Sequence, residues 1–151
     1  MENTSVVRLW KALPDPQRRQ VKRSLLSPAF NQREELIRLL DFIDQQVSGP
    51  ASAVKGRERK MAAAFSKEMA FQAIFHRSKT PNAPAAAPFD DGKMRHLLTY
   101  LLEVIRECLA WQEWRTDSAE VNLHFCRALK KLGLDEFHEK ELERARQALD
   151  R

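Results

Sequence analysis

The chain has 151 residues, of which 43% are hydrophobic and 31% charged, as in an ordinary globular domain. Its 4 glycines and single tyrosine argue against a β-sandwich or barrel, because those folds need frequent turns and aromatic or β-branched strands. Apolar runs are too short to cross a bilayer, and the start does not resemble a signal peptide. The 2 cysteines, Cys108 and Cys126, are too few for a disulfide framework. We therefore expect a cytoplasmic protein with no membrane partner.

The positive charge is confined to the first half of the chain. Residues 1–70 carry 13 Lys/Arg against 8 Asp/Glu, whereas residues 71–151 carry 13 of each. Such asymmetry can attract nucleic acid or an acidic partner, although a solvated basic helix face is the commoner explanation.

Residues 4–48 are predicted to form three helices. The first stops before Pro14. Asp15 supplies a capping carboxylate at the start of the second helix. Asn31 precedes Glu34 by three residues, which resembles a capping box for the third helix. This third helix has the clearest apolar periodicity of the N-terminal half.

The middle of the chain alternates between linkers and one short helix. Residues 49–65 read as a basic linker that becomes helical towards its end. Ser66 can cap a short helix. Residues 78–89 are rich in proline and alanine and are predicted to form an extended loop.

A long helix is predicted over about residues 91–114, after the acidic pair Asp90 and Asp91. It is apolar over most of its girth, which is typical of a central helix with neighbours on several sides. Its broad, mostly apolar side consists of Met94, Leu97, Leu98, Leu101, Leu102, Ile105, Cys108, Leu109 and Gln112, extended by Tyr100, Val104 and Trp111.

Two further helices are predicted after this long one. Asp117 and Glu120 form a capping box, and Gly133 occupies the position of a C-terminal glycine. No stop signal follows Leu149, so we expect the natural chain to continue past Arg151. The expected apolar stripes are Val121, Phe125, Ala128, Leu129 and Leu132 on one helix, and His138, Leu142, Ala145 and Leu149 on the other.

Together these elements predict an all-α fold without a sheet, in which six or seven helices pack around the long central helix at about 91–114. We expect a single domain over 1–151. Its N-terminal part, 4–48, is joined to its C-terminal part, 66–150, by the basic linker 49–65.

Three stretches carry a resemblance to a known family. These are the SP-x-FN turn at 27–31, the IF element within 71–75, and a long helix beginning with a K-MR-x-LL pattern. Their order resembles the N-terminal region of a family of larger, uncharacterised bacterial helical proteins. The chain departs from that pattern between Arg77 and Phe89, where the Ala/Pro insert lengthens a turn. The resemblance implies a helical architecture and a C-terminal continuation, and it carries no activity.

Residues 66–110 also resemble a helix-turn-helix in layout. In that interpretation Lys93, Arg95, His96 and Thr99 face the major groove of DNA. Against it, the connecting turn is about a dozen residues long, whereas the motif uses 3–4, and no wing strands are evident. The predicted phosphate contacts are Arg18, Arg19, Lys22 and Arg23 on one helix face, and Lys55, Arg57, Arg59 and Lys60 in the linker.

The usual signatures of catalysis and metal binding are missing from the sequence. It has no Gly-rich phosphate loop, GxSxG, HExxH or CxxC motif. His124 and Cys126 are two positions apart on a helix, so their side chains diverge. His96 is the one histidine that we would test. We expect no enzyme activity, no cofactor and no metal.

The tryptophans suggest an interface instead. Most belong to helical stripes, but Trp114 lies near the end of the long helix, where exposure would mark a partner interface. The sequence therefore favours a non-catalytic helical protein–protein interaction or scaffold module. Its partner would be another protein or a downstream domain of the same chain. The alternative is a helix-turn-helix-like DNA-binding regulatory module.

Overall fold

The computed structural model describes Met1 and residues 3–48, 66–75 and 88–150. The predicted linker 49–65 and residues 78–87 of the predicted loop lie outside the described residues. Within the described ranges the chain is all-α and has no strand, which confirms the predicted fold class. The helices there are α1 (Ser5–Ala12), α2 (Asp15–Leu26), α3 (Glu34–Ser48), α4 (Lys67–Phe75), α5 (Asp91–Thr116), α6 (Ser118–Lys131) and α7 (Asp135–Leu149).

The chain divides into two compact units, Met1–Glu107 and Cys108–Arg151. The first unit holds α1 to α4 and most of α5, and the second holds the end of α5 with α6 and α7. The single domain expected over 1–151 stays a prediction.

In the first unit, α3 is the shared neighbour of α1, α2 and α4. Its buried face consists of Leu36, Leu39, Leu40 and Ile43, which recur at the i, i+3, i+4, i+7 spacing of one helix side. Trp10 of α1 is completely buried in this core.

Two helix starts differ from the sequence prediction. Asp15 is not the N-cap of α2, because Pro14 occupies that position and Asp15 lies in the first turn. Asn31 forms no capping box with Glu34. Its amide instead donates to the carbonyls of Leu25 and Arg33, and its side-chain oxygen accepts from the Arg33 N–H. The buried Asn31 thus joins the end of α2 to the start of α3.

The long helix α5 starts as predicted, since the Asp90 carboxylate accepts a hydrogen bond of 3.0 Å from the Lys93 N–H. Lys67 of α4 forms an ion pair of 3.1 Å with Asp91. The predicted apolar extensions Tyr100 and Trp111 are exposed. The buried stripe of α5 is Met94, Leu97, Leu98, Leu101, Ile105 and Cys108.

In the second unit, α6 and α7 pack against each other as a helical hairpin. The Asp117 side chain caps α6 by accepting from the N–H groups of Ala119 and Glu120. The predicted capping box with Glu120 does not form, because the Asp117 N–H donates to the Trp114 carbonyl instead. Gly133 ends the helix with φ of 71°, and its N–H donates to the Lys130 carbonyl while that of Leu134 donates to the Leu129 carbonyl. These two bonds are the Schellman arrangement that the glycine predicted.

The apolar stripe predicted to be the core side of α6 is mostly exposed. Phe125, Ala128 and Leu132 all face solvent, and Leu132 is 72% exposed. The buried residues of α6 are Cys126 and Leu129. At 100° per residue, they lie about a quarter turn around the helix axis from the exposed stripe. On α7, Leu149 is likewise exposed, whereas Ala145 is buried. None of the helices described here combines the length and hydrophobicity needed to cross a membrane.

Candidate interaction surface on the second unit

An open cavity of about 350 Å³ lies where α5 meets α6. The end of α5 contributes Trp111, Trp114 and Arg115, and the start of α6 contributes Ser118, Val121 and Asn122. Its lining is therefore half apolar, with two tryptophans and one valine, and half polar, with Arg115, Ser118 and Asn122. Protein recognition sites commonly combine aromatic and polar groups in this way.

Both indole rings of the cavity are held by neighbouring side chains. The Arg115 guanidinium carbon lies 4.7 Å from the ring centroid of Trp111, in a cation–π arrangement. The Trp114 ring meets the His124 ring edge-to-face, with centroids 5.9 Å apart. The structure thus places Trp114, the predicted interface residue, half-buried in the wall of a cavity.

The exposed stripe of α6 begins at this cavity. Val121 lines the cavity, and Phe125, Ala128 and Leu132 follow it at intervals of four, three and four residues. This spacing keeps all of them on one helix face. The cavity and the stripe therefore form one apolar strip, which we call the α6 strip: the cavity wall at Trp111 and Trp114, then Val121, Phe125, Ala128 and Leu132.

Charge is distributed unevenly along α6. Its N-terminal end carries Asp117 and Glu120, and Glu120 lies 3.5 Å from His124. Its C-terminal end carries Arg127, Lys130 and Lys131, all exposed. Each end thus complements the helix dipole, and the helix has one acidic and one basic end.

The turn between α6 and α7 adds further exposed apolar groups. Leu134 and Phe137 follow Gly133 and, like Leu132, are exposed. The sequence did not predict that these apolar residues and the apolar face of α6 are exposed. Periodicity identifies an apolar helix face, but it does not show whether another helix covers that face.

Two of the four basic residues of α2 bind other parts of the first unit. Arg18 donates to the carbonyls of Trp10 and Lys11 and to the Ser48 hydroxyl, over 3.1 to 3.2 Å. Lys22 forms an ion pair of 2.5 Å with Asp44. Arg19 and Arg23 are the two residues of the predicted phosphate-contacting face of α2 that are exposed to solvent.

The residues predicted to enter the major groove lie on the first turns of α5 and are exposed. The Lys93 ammonium lies 4.0 Å from the ring centroid of Phe75, and the Arg95 guanidinium pairs with Asp91. The Thr99 hydroxyl donates to the Arg95 carbonyl, and His96 lies on the same exposed part of the helix. The linker cations Lys55, Arg57, Arg59 and Lys60 lie outside the described residues. Nucleic-acid contact by these groups stays a prediction.

Asp44 and Asp91, both in the described part of the chain, are carboxylates whose pKa is shifted. Burial by itself raises the pKa of Asp44, but hydrogen bonds from Lys22, Trp10 and Ser48, with the charge of Lys22, leave it below the ordinary value. The pKa of Asp91 is lowered, chiefly by its hydrogen bond from Lys67. Both groups serve packing between helices. Among the residues that the structure describes, no three His, Cys, Asp or Glu side chains are grouped as metal ligands.

Comparison with known proteins adds no relative: no family model, curated protein or solved structure matches this chain. The resemblance to larger bacterial helical proteins therefore stays a prediction, and the function has to be argued from the chain itself.

Proposed function

We propose that this chain is a non-catalytic protein–protein interaction module that binds through the α6 strip. The observation that carries the proposal is the exposed face of α6. Phe125 is 49% exposed and Leu132 is 72% exposed, on a helix whose opposite ends are well capped. Apolar side chains exposed together along one face of an ordered helix are a feature of protein interaction sites.

The aromatic cavity gives one end of this surface an anchoring site for a partner side chain. Interfaces gain most of their affinity from a few well-packed side chains, among which Trp and Arg are enriched. Trp111, Trp114 and Arg115 supply that combination at one end of the strip. An apolar side chain from a partner would displace water from these indole faces, which is favourable in proportion to the apolar area buried.

Site-specific photo-crosslinking in the native cells tests the proposal. A photoreactive phenylalanine analogue replaces Phe125 in the full chain, and a control chain carries it at Leu26, a 67% exposed apolar residue of α2 in the first unit. We expect a discrete crosslinked protein from position 125 and none from position 26. Irradiation that yields no discrete product from position 125 would refute the proposed binding surface.

A further inference from the structure

The α6 strip has the residue spacing of a coiled-coil seam. Val121, Phe125, Ala128 and Leu132 alternate four-residue and three-residue steps, as the a and d positions of a heptad do. A seam of this kind is complementary to another helix with the same spacing. α6 itself has that spacing, so a second copy of the chain carries a matching surface.

The charges of α6 select one orientation for such a pair. Side by side and parallel, two copies would bring Lys130 and Lys131 against the same residues of the partner. Antiparallel, the acidic end at Asp117 and Glu120 meets the basic end of the other copy. Like charges facing each other are unfavourable and opposite charges favourable, so antiparallel packing is preferred.

The whole second unit is close to electrically neutral. Residues 108–151 carry 8 Lys/Arg against 9 Asp/Glu, which is a net charge of −1. Two copies can therefore approach without a large electrostatic cost, although the complete chain has a net charge of +5. The neutral unit is the one that carries the exposed seam.

In the antiparallel arrangement, a side chain of the partner copy lies next to the aromatic cavity. When Phe125 faces the partner's Ala128, Val121 faces the partner's Leu132. Val121 lines the cavity at Trp111 and Trp114, so the partner's Leu132 reaches its mouth. The cavity, of about 350 Å³, has room for this side chain.

From these observations we infer that the α6 strip binds a second copy of the same chain, antiparallel, with each Leu132 entering the tryptophan cavity of the other copy. The arrangement has two-fold symmetry, so every contact occurs twice. This inference rests on the proposed function, since it names the partner of the same surface.

The first test is sedimentation equilibrium of the full chain from about 1 to 200 µM, a range that spans affinities typical of reversible dimers. We expect a monomer–dimer equilibrium and a concentration-dependent blue shift of tryptophan emission. Trp10 is already buried, so the shift would come from Trp111 and Trp114. A monomer throughout this range would overturn the inference.

Two matched substitutions test the role of the cavity. Leu132→Asp should weaken dimerisation by about tenfold or more and abolish the emission shift, because it would place a charge against the indoles. Leu26→Asp makes the same change at an exposed site of the first unit and should leave the dimer unchanged. A dimer of unchanged affinity in Leu132→Asp would exclude insertion of Leu132 into the cavity.

A reciprocal charge exchange tests the antiparallel orientation. One variant carries Lys130→Glu with Lys131→Glu, and the other carries Glu120→Lys. Each alone should dimerise more weakly than the wild type, because like charges then meet at both ends. An equimolar mixture should form a heterodimer, in which every acidic end faces a basic one. Variants that each dimerise as tightly as the wild type would overturn the orientation, because a parallel wild-type pair already brings like charges together at both ends.

The crosslinking experiment separates failure of this inference from failure of the proposed function. A product of twice the chain mass of 17.5 kDa supports the second copy. A product with a different protein, together with a monomer in the centrifuge, supports the interaction module and rejects the second copy. No discrete product from position 125 and no dimer reject both.

Discussion

Asp44 of α3 accepts hydrogen bonds from three side chains of the first unit. Its carboxylate accepts hydrogen bonds from the Trp10 indole N–H at 3.0 Å, the Lys22 ammonium at 2.5 Å and the Ser48 hydroxyl at 3.3 Å. Through these bonds one side chain of α3 fixes α1 and α2. Because the donors favour the charged form, folding and ionisation of Asp44 are linked.

The lowered pKa of Asp44 predicts the direction of a pH effect on stability. A carboxyl whose pKa is lower in the folded state stabilises the fold above its ordinary pKa, which is 3.8 for this group. That contribution is lost as the pH falls through the lowered value. Asp44→Asn should cost about 1–3 kcal/mol at pH 7 and less near pH 3, measured by urea unfolding.

Asp41→Asn is the control for this prediction, because Asp41 is an exposed carboxylate on the same helix. It should leave the stability close to that of the wild type at both pH values. A cost for Asp44→Asn that is constant from pH 7 to pH 3 would contradict the linkage.

Arg18 and Arg19 offer a second comparison at the scale of single residues. They are adjacent cations, but Arg18 holds the last carbonyls of α1 and the Ser48 hydroxyl, whereas Arg19 is exposed. Arg18→Gln should lower the free energy of unfolding by about 1–2 kcal/mol. Arg19→Gln should stay within about 0.5 kcal/mol of the wild type. Equal losses in urea unfolding would show that Arg18 has no special structural role.

At the scale of helices, the sequence predicted those ends that depend on neighbouring residues alone. The caps at Asp90 and Asp117 and the glycine at Gly133 depend on neighbours in the chain, and the structure confirms them. Asn31 departed from the prediction because its amide also bonds to Leu25, six residues away, and a local motif cannot show that bond.

The faces of α6 were less predictable for a physical reason. Periodicity shows that Phe125 and Leu132 share a side, but the position of α7 decides which side is buried. Here Cys126 and Leu129 are the buried residues of α6, and α7 is the helix that packs against it. The sequence therefore suggested Trp114 as an interface residue but not the strip that leads from it. That strip became visible only once burial was known.

Gly133 gives a test of the turn between α6 and α7. Its φ of 71° lies in the left-handed region, and a Cβ there would meet no atom within 4 Å. The cost of a side chain is therefore purely conformational. Gly133→Ala should lower the free energy of unfolding by about 1–2 kcal/mol. Gly133→Asn should lose less, since Asn adopts this conformation more readily.

Both Gly133 variants are compared with the wild type by urea unfolding followed by circular dichroism, at one protein concentration. A loss for Asn as large as that for Ala would indicate that the hairpin does not depend on the left-handed residue.

At the scale of the whole molecule, the two units differ in how much apolar surface they bury. The first unit contains most of the completely buried large side chains, among them Trp10, Leu39, Ile43 and Ile74. The described part of the second unit buries Cys108, Cys126, Leu129 and Ala145. A unit of this size with so few buried apolar groups is only marginally stable by itself.

This inequality predicts that the second unit opens locally more readily than the first. Local opening costs least free energy where few apolar contacts are broken. Amide hydrogen exchange of the full chain, read by mass spectrometry, should therefore be faster in α6 and α7 than in α3. Uniform protection along all these helices would contradict the division into units of unequal stability.

The same hydrogen-exchange measurement, repeated at several protein concentrations, also tests dimerisation. An equilibrium that binds only the folded unit stabilises it by mass action, so dimerisation through the α6 strip should slow exchange in α6 as concentration rises. Exchange in α3 should stay constant, because α3 has no part in the strip. In Leu132→Asp the dependence in α6 should disappear, which would tie the added protection to that side chain. Protection that increases equally in α3 and α6 would instead point to association elsewhere on the molecule.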